Sequence, residues 1–164
     1  MRALCQVRMF TESHDPVAVV FTDLDDFKEV NDRYGHVVGD QLLIATAELI
    51  SRGARRKGTA YRIAGDEFLL VLENYDADEG AALAERLRKV LQATPLTSYS
   101  IKITGSFGVA SSPEHGSDPE QLFDCADRAL FEAKRMGGNR VRIFRRGKFG
   151  DPGDDPPVTP LLAS

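Results

Sequence analysis

Apolar positions along the chain follow two spacings, which divide it into strands and helices. Apolar or alternating runs of about 4–8 residues are typical of strands packed in a sheet. Glycine, proline and small polar residues separate these runs, as expected for turns. We predict five strands, over residues 17–21, 60–63, 68–72, 101–109 and 141–144.

Helical spacing accounts for most of the remaining chain. Phe27, Val30 and Tyr34 recur at intervals that place them on one face of a helix over residues 25–34. Gly35 is expected to end that helix, because glycine is a poor helix former. We predict further helices over residues 1–11, 40–52, 78–93 and 119–136.

The order of these elements predicts the fold class. Strands alternate with helices and one hairpin lies in the middle, which indicates an α/β (α+β) architecture with helices packed on a mainly antiparallel sheet. The 164 residues are enough for one domain with a single core. We assign this domain to residues 1–146, and the Pro-, Gly- and Asp-rich residues 147–164 to a disordered tail.

Composition narrows the class of partner. The formal net charge of -4 argues against broad attraction to nucleic acid or to anionic membranes, so a polyphosphate ligand would need a local site and a metal ion. The spacing of Cys5 and Cys125 fits free thiols in a reducing compartment rather than a zinc site. No apolar stretch approaches the roughly 20 residues of a spanning helix, and residues 1–10 do not read as a signal peptide. We therefore expect a cytoplasmic protein.

Two acidic groups lie where predicted strands end. Residues 64–68, with the sequence AGDEF, form the tip of the predicted hairpin, where Gly65 can adopt the positive φ of a tight turn. Asp66 and Glu67 place adjacent carboxylates at this tip, and the acidic residues 23–26 follow the first strand. Carboxylates on turns are usually solvated, but two acid-tipped strand ends can share one divalent cation.

These acids lie in two of three longer motifs. Residues 23–40 read DLDDFKEVNDRYGHVVGD, residues 64–68 read AGDEF, and residues 126–134 read ADRALFEAK. With these motifs in this order, the chain resembles the GGDEF domain, the family of diguanylate cyclases that join two GTP molecules into cyclic di-GMP. The resemblance implies the ferredoxin-like palm that these enzymes share with nucleotidyl cyclases, with AGDEF standing as the family signature.

The resemblance implies a divalent metal site at the acidic strand ends. Asp23 and Asp66 would be its carboxylate ligands, and Leu24 would contribute its backbone carbonyl. Mg²⁺ is the expected ion, with Mn²⁺ as the alternative, because Mg²⁺ prefers oxygen ligands completed by water and phosphate. Asp66 would also take the proton from the attacking 3′-hydroxyl, or would organise the site electrostatically if the metal alone activates that hydroxyl, with Glu67 as a further catalytic carboxylate. Lys28 would stabilise the transition state.

The resemblance also implies how the triphosphate of GTP is bound. Phe27 and Lys28 lie at the start of a helix, where backbone amides can face an anion. Lys134 in the late helix would contact the β and γ phosphates. Gly65 would allow the backbone of the hairpin tip to approach the nucleotide closely.

Guanine selection is assigned by resemblance to Asn31 and Asp40, with His36 nearby. An acceptor carboxylate can pair with two neighbouring donors of guanine, a pair that adenine lacks. The structural alternatives are that Asn31 is a polar residue at a helix end and that Asp40 is the N-cap of the helix over residues 40–52. We expect that Asp40 does both.

Several positions depart from the family pattern. Ala64 replaces the first glycine of the signature, and its methyl group could crowd a nucleotide. Gly138 stands where many members have an arginine four residues after the phosphate-side lysine. The product-inhibition motif R-x-x-D retains Arg55, but Gly58 replaces its acid. The opening segment D-x-L-T-G-L-x-N-R is absent from the sequence, apart from its final arginine as Arg2.

Three functions remain open on this evidence. The first is a diguanylate cyclase domain that is active as a homodimer, because each domain would hold one GTP, with pairing through the region that precedes the domain. The second is a non-catalytic GTP-binding signalling module, favoured by the departures. The third is a structural interaction domain that binds no GTP. No nucleic acid or membrane partner is expected.

Overall fold

A computed structural model of the chain describes residues 2–55 and 57–146. In chain order its elements are α1 (Arg2–Ser13), β1 (Val17–Leu24), α2 (Phe27–Tyr34), α3 (His36–Ala54), β2 (Gly58–Ala64), β3 (Glu67–Glu73), α4 (Ala77–Ala93), β4 (Gly105–Ser112), α5 (Pro119–Arg135) and β5 (Val141–Ile143). The predicted tail over residues 147–164 lies outside the described residues.

The five strands form one sheet in the order β2-β3-β1-β4-β5. All neighbouring pairs are antiparallel except β4 and β5, which run parallel. Helices cover both faces, so the predicted α/β class with a mainly antiparallel sheet is confirmed. Among residues 2–55 and 57–146, no helix is both long enough and apolar enough to cross a bilayer.

The central strand β1 is buried on both faces, which explains its continuous apolar sequence. Val17, Val19 and Phe21 belong to the core formed with α1 and α5. Ala18 and Val20 belong to the core formed with α3 and α4. The alternation continues to the end of the strand, so it turns the next odd-numbered side chain, at position 23, toward α5.

Close packing of α5 on β4 sets the position of the helix relative to the sheet. Gly108 of β4 faces α5, and a Cβ there would collide with the α5 backbone at Ala126 and Leu130. Only glycine lets the two backbones approach so closely. The C-terminal end of α5 is thereby held near the edge of the sheet where β1 ends.

Two sequence predictions are wrong in their boundaries. The helix expected over residues 40–52 begins at His36, because Gly35, at φ 83, ends α2 and is at the same time the N-cap of α3. Asp40 therefore lies inside the helix and is not its cap. The strand expected from residue 101 begins at Gly105, since Ile101 instead forms an isolated bridge with Leu96.

Other predictions of local structure are confirmed. The acidic tip is a hairpin turn between β2 and β3, and Gly65 has φ 44. Gly35 ends α2, and the last helix starts with Pro119 at its first turn. Cys5 and Cys125 are both free thiols.

Candidate active site

Several predicted site residues lie together where the central strand β1 ends. In the ladder between β1 and β3, Asp23 lies opposite Glu67. In the ladder between β1 and β4, Asp23 lies opposite Ser106 and Leu24 opposite Gly105. Antiparallel pairing thus brings the end of β1, the β2–β3 tip and the start of β4 to the same place, although they are far apart in sequence.

The hairpin tip is open to solvent on its outer side. Ala64 pairs with Glu67 across the turn, and a bulge separates this pair from the one formed by Arg62. Arg62 Nε donates a hydrogen bond of 2.8 Å to the Gly65 carbonyl and so braces the turn. A Cβ at Gly65 would have no atom within 4 Å, so a ligand can approach the backbone of the tip. Arg62 could not be predicted from the sequence, since a single arginine in an exposed strand carries no local signal.

Asp23 is a buried carboxylate that is paired with a cation. Its Oδ2 atom is 2.5 Å from Lys134 Nζ, and the two side chains are 10% and 42% exposed. Burial raises the pKa of Asp23, the hydrogen bond and charge of Lys134 oppose that rise, and the negative charge of Asp66 adds to it. The structure therefore brings together Asp23, Asp66 and Lys134, which come from three different motifs.

The charged groups around Asp23 also act on the Glu67 carboxylate. Burial is the main cause that raises its pKa, followed by the charge of Asp23, with smaller contributions from Asp127 and Asp66. Asp127 of α5 has its own pKa raised, also mainly by burial. Asp127 was not among the predicted site residues, yet it lies seven residues before Lys134, a spacing that places both on one face of α5.

The donor atoms at this edge fit a hard divalent cation. Residues 2–55 and 57–146 contain no group of three or more His, Cys, Asp or Glu side chains arranged around a metal position. The predicted set is smaller, with the carboxylates of Asp23 and Asp66 and the carbonyl of Leu24. Mg²⁺ commonly uses one or two protein carboxylates and takes its other ligands from water and phosphate. The residues present thus suit Mg²⁺ bound together with a nucleotide.

Asn31 and Asp40 lie on the two helices that follow β1, with α2 packed on α3. At Gly39 a Cβ would collide with the Asn31 side chain and lie 3.3 Å from the Phe27 ring, so this glycine lets the Asn31 amide rest against α3 beside Asp40. Asp40 and His36 are exposed. The predicted base-binding residues therefore lie on two helices in contact, with Asp40 and His36 exposed and Asn31 partly buried.

The start of α2 carries the other predicted phosphate-side group. Lys28 is the second residue of the helix and is exposed, whereas Phe27 is partly buried against the core. Asp26 is the N-cap with φ 56, and its side chain makes no capping hydrogen bond. This arrangement leaves Lys28 able to reach an anion bound at the helix N-terminus.

Asp25 has a different environment from Asp23. Its carboxylate accepts hydrogen bonds from Thr104 Oγ1 at 2.6 Å, from Ser106 Oγ at 2.7 Å and from the backbone N–H of Asn139 at 2.9 Å. A Cβ at Gly138, which has φ 69, would lie 2.9 Å from Asp25 Oδ1. The departure from the family pattern at position 138 therefore lies directly against Asp25.

Strand packing explains why position 58 is a glycine rather than the acid of the R-x-x-D motif. It is the first residue of β2, and a Cβ there would collide with the Val71 carbonyl and crowd Leu72 in β3. An acidic side chain at this position would require the two strands to separate. The incomplete R-x-x-D motif is thus built into the packing of the hairpin.

Comparison with known proteins supports the family that these motifs indicate. The family model for the diguanylate cyclase GGDEF domain matches residues 5–140. The chain is 42% identical over 128 residues to the bifunctional diguanylate cyclase/cyclic di-GMP phosphodiesterase MucR of Pseudomonas aeruginosa, a match covering 77% of this chain and 19% of that protein. It is 34% identical over 147 residues to diguanylate cyclase A of Treponema denticola, covering 88% of this chain and 40% of that protein.

A solved structure gives the same result for the fold. The active GGEEF domain of a diguanylate cyclase from Vibrio cholerae matches with a TM-score of 0.82 and 30% identity, over 88% of this chain and 96% of that chain. The chain spans less than half the length of the two curated relatives. With the family model covering most of the sequence, the chain belongs to the GGDEF family of diguanylate cyclase domains.

Proposed function

We propose that this chain is a diguanylate cyclase catalytic domain, which condenses two GTP molecules into cyclic di-GMP and releases pyrophosphate. The observation that carries the proposal is the buried Asp23 carboxylate, ion-paired with Lys134 and close enough to Asp66 to feel its charge. Catalytic sites often contain buried acids whose pKa is raised and which lie next to a cation.

The reaction requires the 3′-hydroxyl of one GTP to attack the α-phosphate of the other. Asp23, Asp66 and the Leu24 carbonyl would hold Mg²⁺, which neutralises phosphate charge when bound. Lys134 is well placed for the same task, because its half-exposed side chain can turn from Asp23 toward a phosphate oxygen. Lys28 would approach the phosphates from the start of α2.

Removal of the hydroxyl proton is assigned to Asp66, with Glu67 beside it. Burial and the charge of Asp23 raise the pKa of Glu67, and a carboxylate of raised pKa is a stronger base. Gly65 is exposed and the turn is braced, which keeps these partly buried carboxylates at the hairpin tip, where a second nucleotide can reach them.

Guanine specificity is proposed for Asn31 and Asp40. Asp40 is exposed and Asn31 is partly buried against the same helix, and the Asp40 carboxylate can accept the paired donors of guanine. Each domain would bind one GTP, so turnover needs two copies with their sites facing each other. We therefore propose a homodimer as the active form.

The test is incubation of the purified chain at high concentration with GTP and Mg²⁺, with the nucleotides separated by chromatography. The same chain fused to a parallel dimeric coiled coil removes the dependence on weak pairing. Asp66→Asn should abolish product, whereas Asp78→Asn, at an exposed position in the first turn of α4, should leave it unchanged. Cyclic di-GMP from the parent and from the Asp78 variant only would support the proposal.

A non-catalytic GTP-binding module is the second candidate. The observation that favours it is Gly138. A glycine provides no cation for the phosphates of GTP, and this one lies against the Asp25 carboxylate, which already accepts three hydrogen bonds. For this candidate, the coiled-coil fusion would bind GTP in calorimetry without releasing pyrophosphate. Turnover by the fusion would exclude it.

A further inference from the structure

A chain of hydrogen bonds joins α4 to the end of β1. Arg88 Nη1 donates to Asn139 Oδ1 at 2.6 Å, and the backbone N–H of Asn139 donates to Asp25 Oδ2 at 2.9 Å. The Asp25 carboxylate is then anchored to β4 and the loop before it through Thr104 and Ser106. We refer to these five residues as the Asp25 network.

The guanidinium of Arg88 is held in a fixed orientation. Its side chain is 13% exposed, and its Nε and Nη2 atoms donate to the two carboxylate oxygens of Glu85 at 2.8 and 2.7 Å. The Nη1 atom also donates to Gln92 at 3.0 Å. Only the planar fork of arginine can serve all these acceptors and Asn139 together, whereas a lysine ammonium is a single point of charge.

The loop between α5 and β5 depends on this support. Gly137, Gly138 and Asn139 are three consecutive residues of positive φ, at 103°, 69° and 48°. Gly137 N–H bonds to the Lys134 carbonyl and Gly138 N–H to the Ala133 carbonyl, which closes the end of α5. Asn139 is the residue with a side chain in this left-handed run, and it is held from one side by Asp25 and from the other by Arg88.

The network connects the two halves of the site described above. Asp25 lies two residues after Asp23, and Asn139 lies five residues after Lys134. We propose that Asp25, Asn139 and Arg88 are positioning residues that hold the Lys134 end of α5 at a fixed distance from the Asp23 end of β1. They act through backbone placement and do not touch the nucleotide. This inference rests on the proposed function, because it assigns the network to the GTP site.

Two substitutions break the same bond from opposite sides. Asn139→Gly removes the side-chain amide but keeps the left-handed backbone and the N–H that reaches Asp25. Arg88→Lys keeps the charge but loses the fork. Arg86→Lys on the same helix, at an exposed position, is the matched control.

GTP affinity of the full chain with Mg²⁺ is measured by calorimetry, and KM and kcat are measured from pyrophosphate release. Each network variant should weaken GTP binding about three- to tenfold and raise KM more than it lowers kcat, and the double variant should be no weaker than the worse single one, since partners in one contact are not additive. Amide hydrogen exchange over residues 136–141, without nucleotide, should speed up in both variants. The control should match the parent in every measurement.

Each outcome decides the proposal. Unchanged GTP affinity in both variants, additive losses in the double variant, or unchanged exchange over residues 136–141 would overturn it, even if the melting temperature falls. A coiled-coil fusion that binds GTP without turnover rejects the cyclase proposal, while the affinity and exchange measurements on the parent still decide the network. A parent that binds no GTP removes both proposals.

Discussion

The Lys134 ammonium lies 2.5 Å from the Asp23 carboxylate, across the gap between the last turn of α5 and the end of β1. The contact joins a residue of the late helix motif to one of the first acidic motif. Because Asp23 is buried and Lys134 is nearly half exposed, the lysine can move toward a ligand while the carboxylate stays in place. The proposed site thus combines a fixed acid with a movable cation.

Lys134→Met is expected to affect ligand binding more than folding. The ion pair joins an ammonium that is 42% exposed to a carboxylate that is 10% exposed, and it contributes only about 1 kcal/mol to the free energy of unfolding because solvent screens the ammonium. Loss of the ammonium should weaken GTP binding by about tenfold, the usual effect of removing one charged hydrogen bond of ~1.4 kcal/mol. Calorimetry with GTP and Mg²⁺ and a urea denaturation curve measure the two effects. Lys102→Met, at an exposed lysine, is the control and should change neither.

Gly108→Ala should be strongly destabilising. The added methyl group meets backbone atoms of α5 rather than a movable side chain, so α5 must shift away from β4, at a cost of about 3 kcal/mol or more. Gly65→Ala provides the comparison, because it adds a methyl group in open space and carries only the left-handed strain of about 1–2 kcal/mol. Chemical denaturation of both variants tests the order. Equal losses would show that α5 can adjust freely.

Glu67→Gln should stabilise the protein at neutral pH. Burial raises the pKa of Glu67 above its ordinary value of 4.5, so the folded state binds a proton more tightly than the unfolded chain. The parent is therefore most stable below the ordinary pKa and loses stability as the pH rises through the folded pKa. The melting temperature of the variant should exceed that of the parent at pH 7, and the difference should shrink as the pH falls through the raised folded pKa and vanish below 4.5.

The matched control for this pH dependence is Glu12→Gln, at an exposed position near the end of α1. It should follow the parent at every pH. A Glu67→Gln variant that is less stable than the parent at pH 7 would show that the ionised carboxylate is stabilised in the fold.

Asp40→Ala separates a structural role from a ligand-binding role. Because α3 begins at His36, Asp40 is not a helix cap, and its loss should change stability by no more than about 0.5 kcal/mol, as for other exposed surface positions. GTP binding should weaken, and the preference for GTP over ATP should fall. Competition calorimetry with the two nucleotides measures the preference. A large loss of stability with unchanged preference would assign Asp40 to the fold alone.

Burial could be predicted at the strands but not at the charged residues. The apolar runs indicated β1 and β3 because alternate side chains on both faces of a central strand must be buried. Asp23 and Asp25 are the same residue type and lie two positions apart in the chain. Even so, the Asp23 carboxylate pairs with Lys134, whereas the Asp25 carboxylate accepts hydrogen bonds from neutral donors. Which of the two remains available to a ligand depends on the strands and loops packed beside them.

Residue type and local spacing determined the family, the hairpin tip and most element positions, because turns, helix stripes and short motifs depend on neighbours within a few residues. Only the tertiary structure decided the start of α3 at His36 and the assembly of the Asp25 network. Thr104 and Asn139 lie 79 and 114 residues from Asp25 along the chain. Contacts at such separations arise from strand pairing and from helix packing on the sheet, which no local pattern contains.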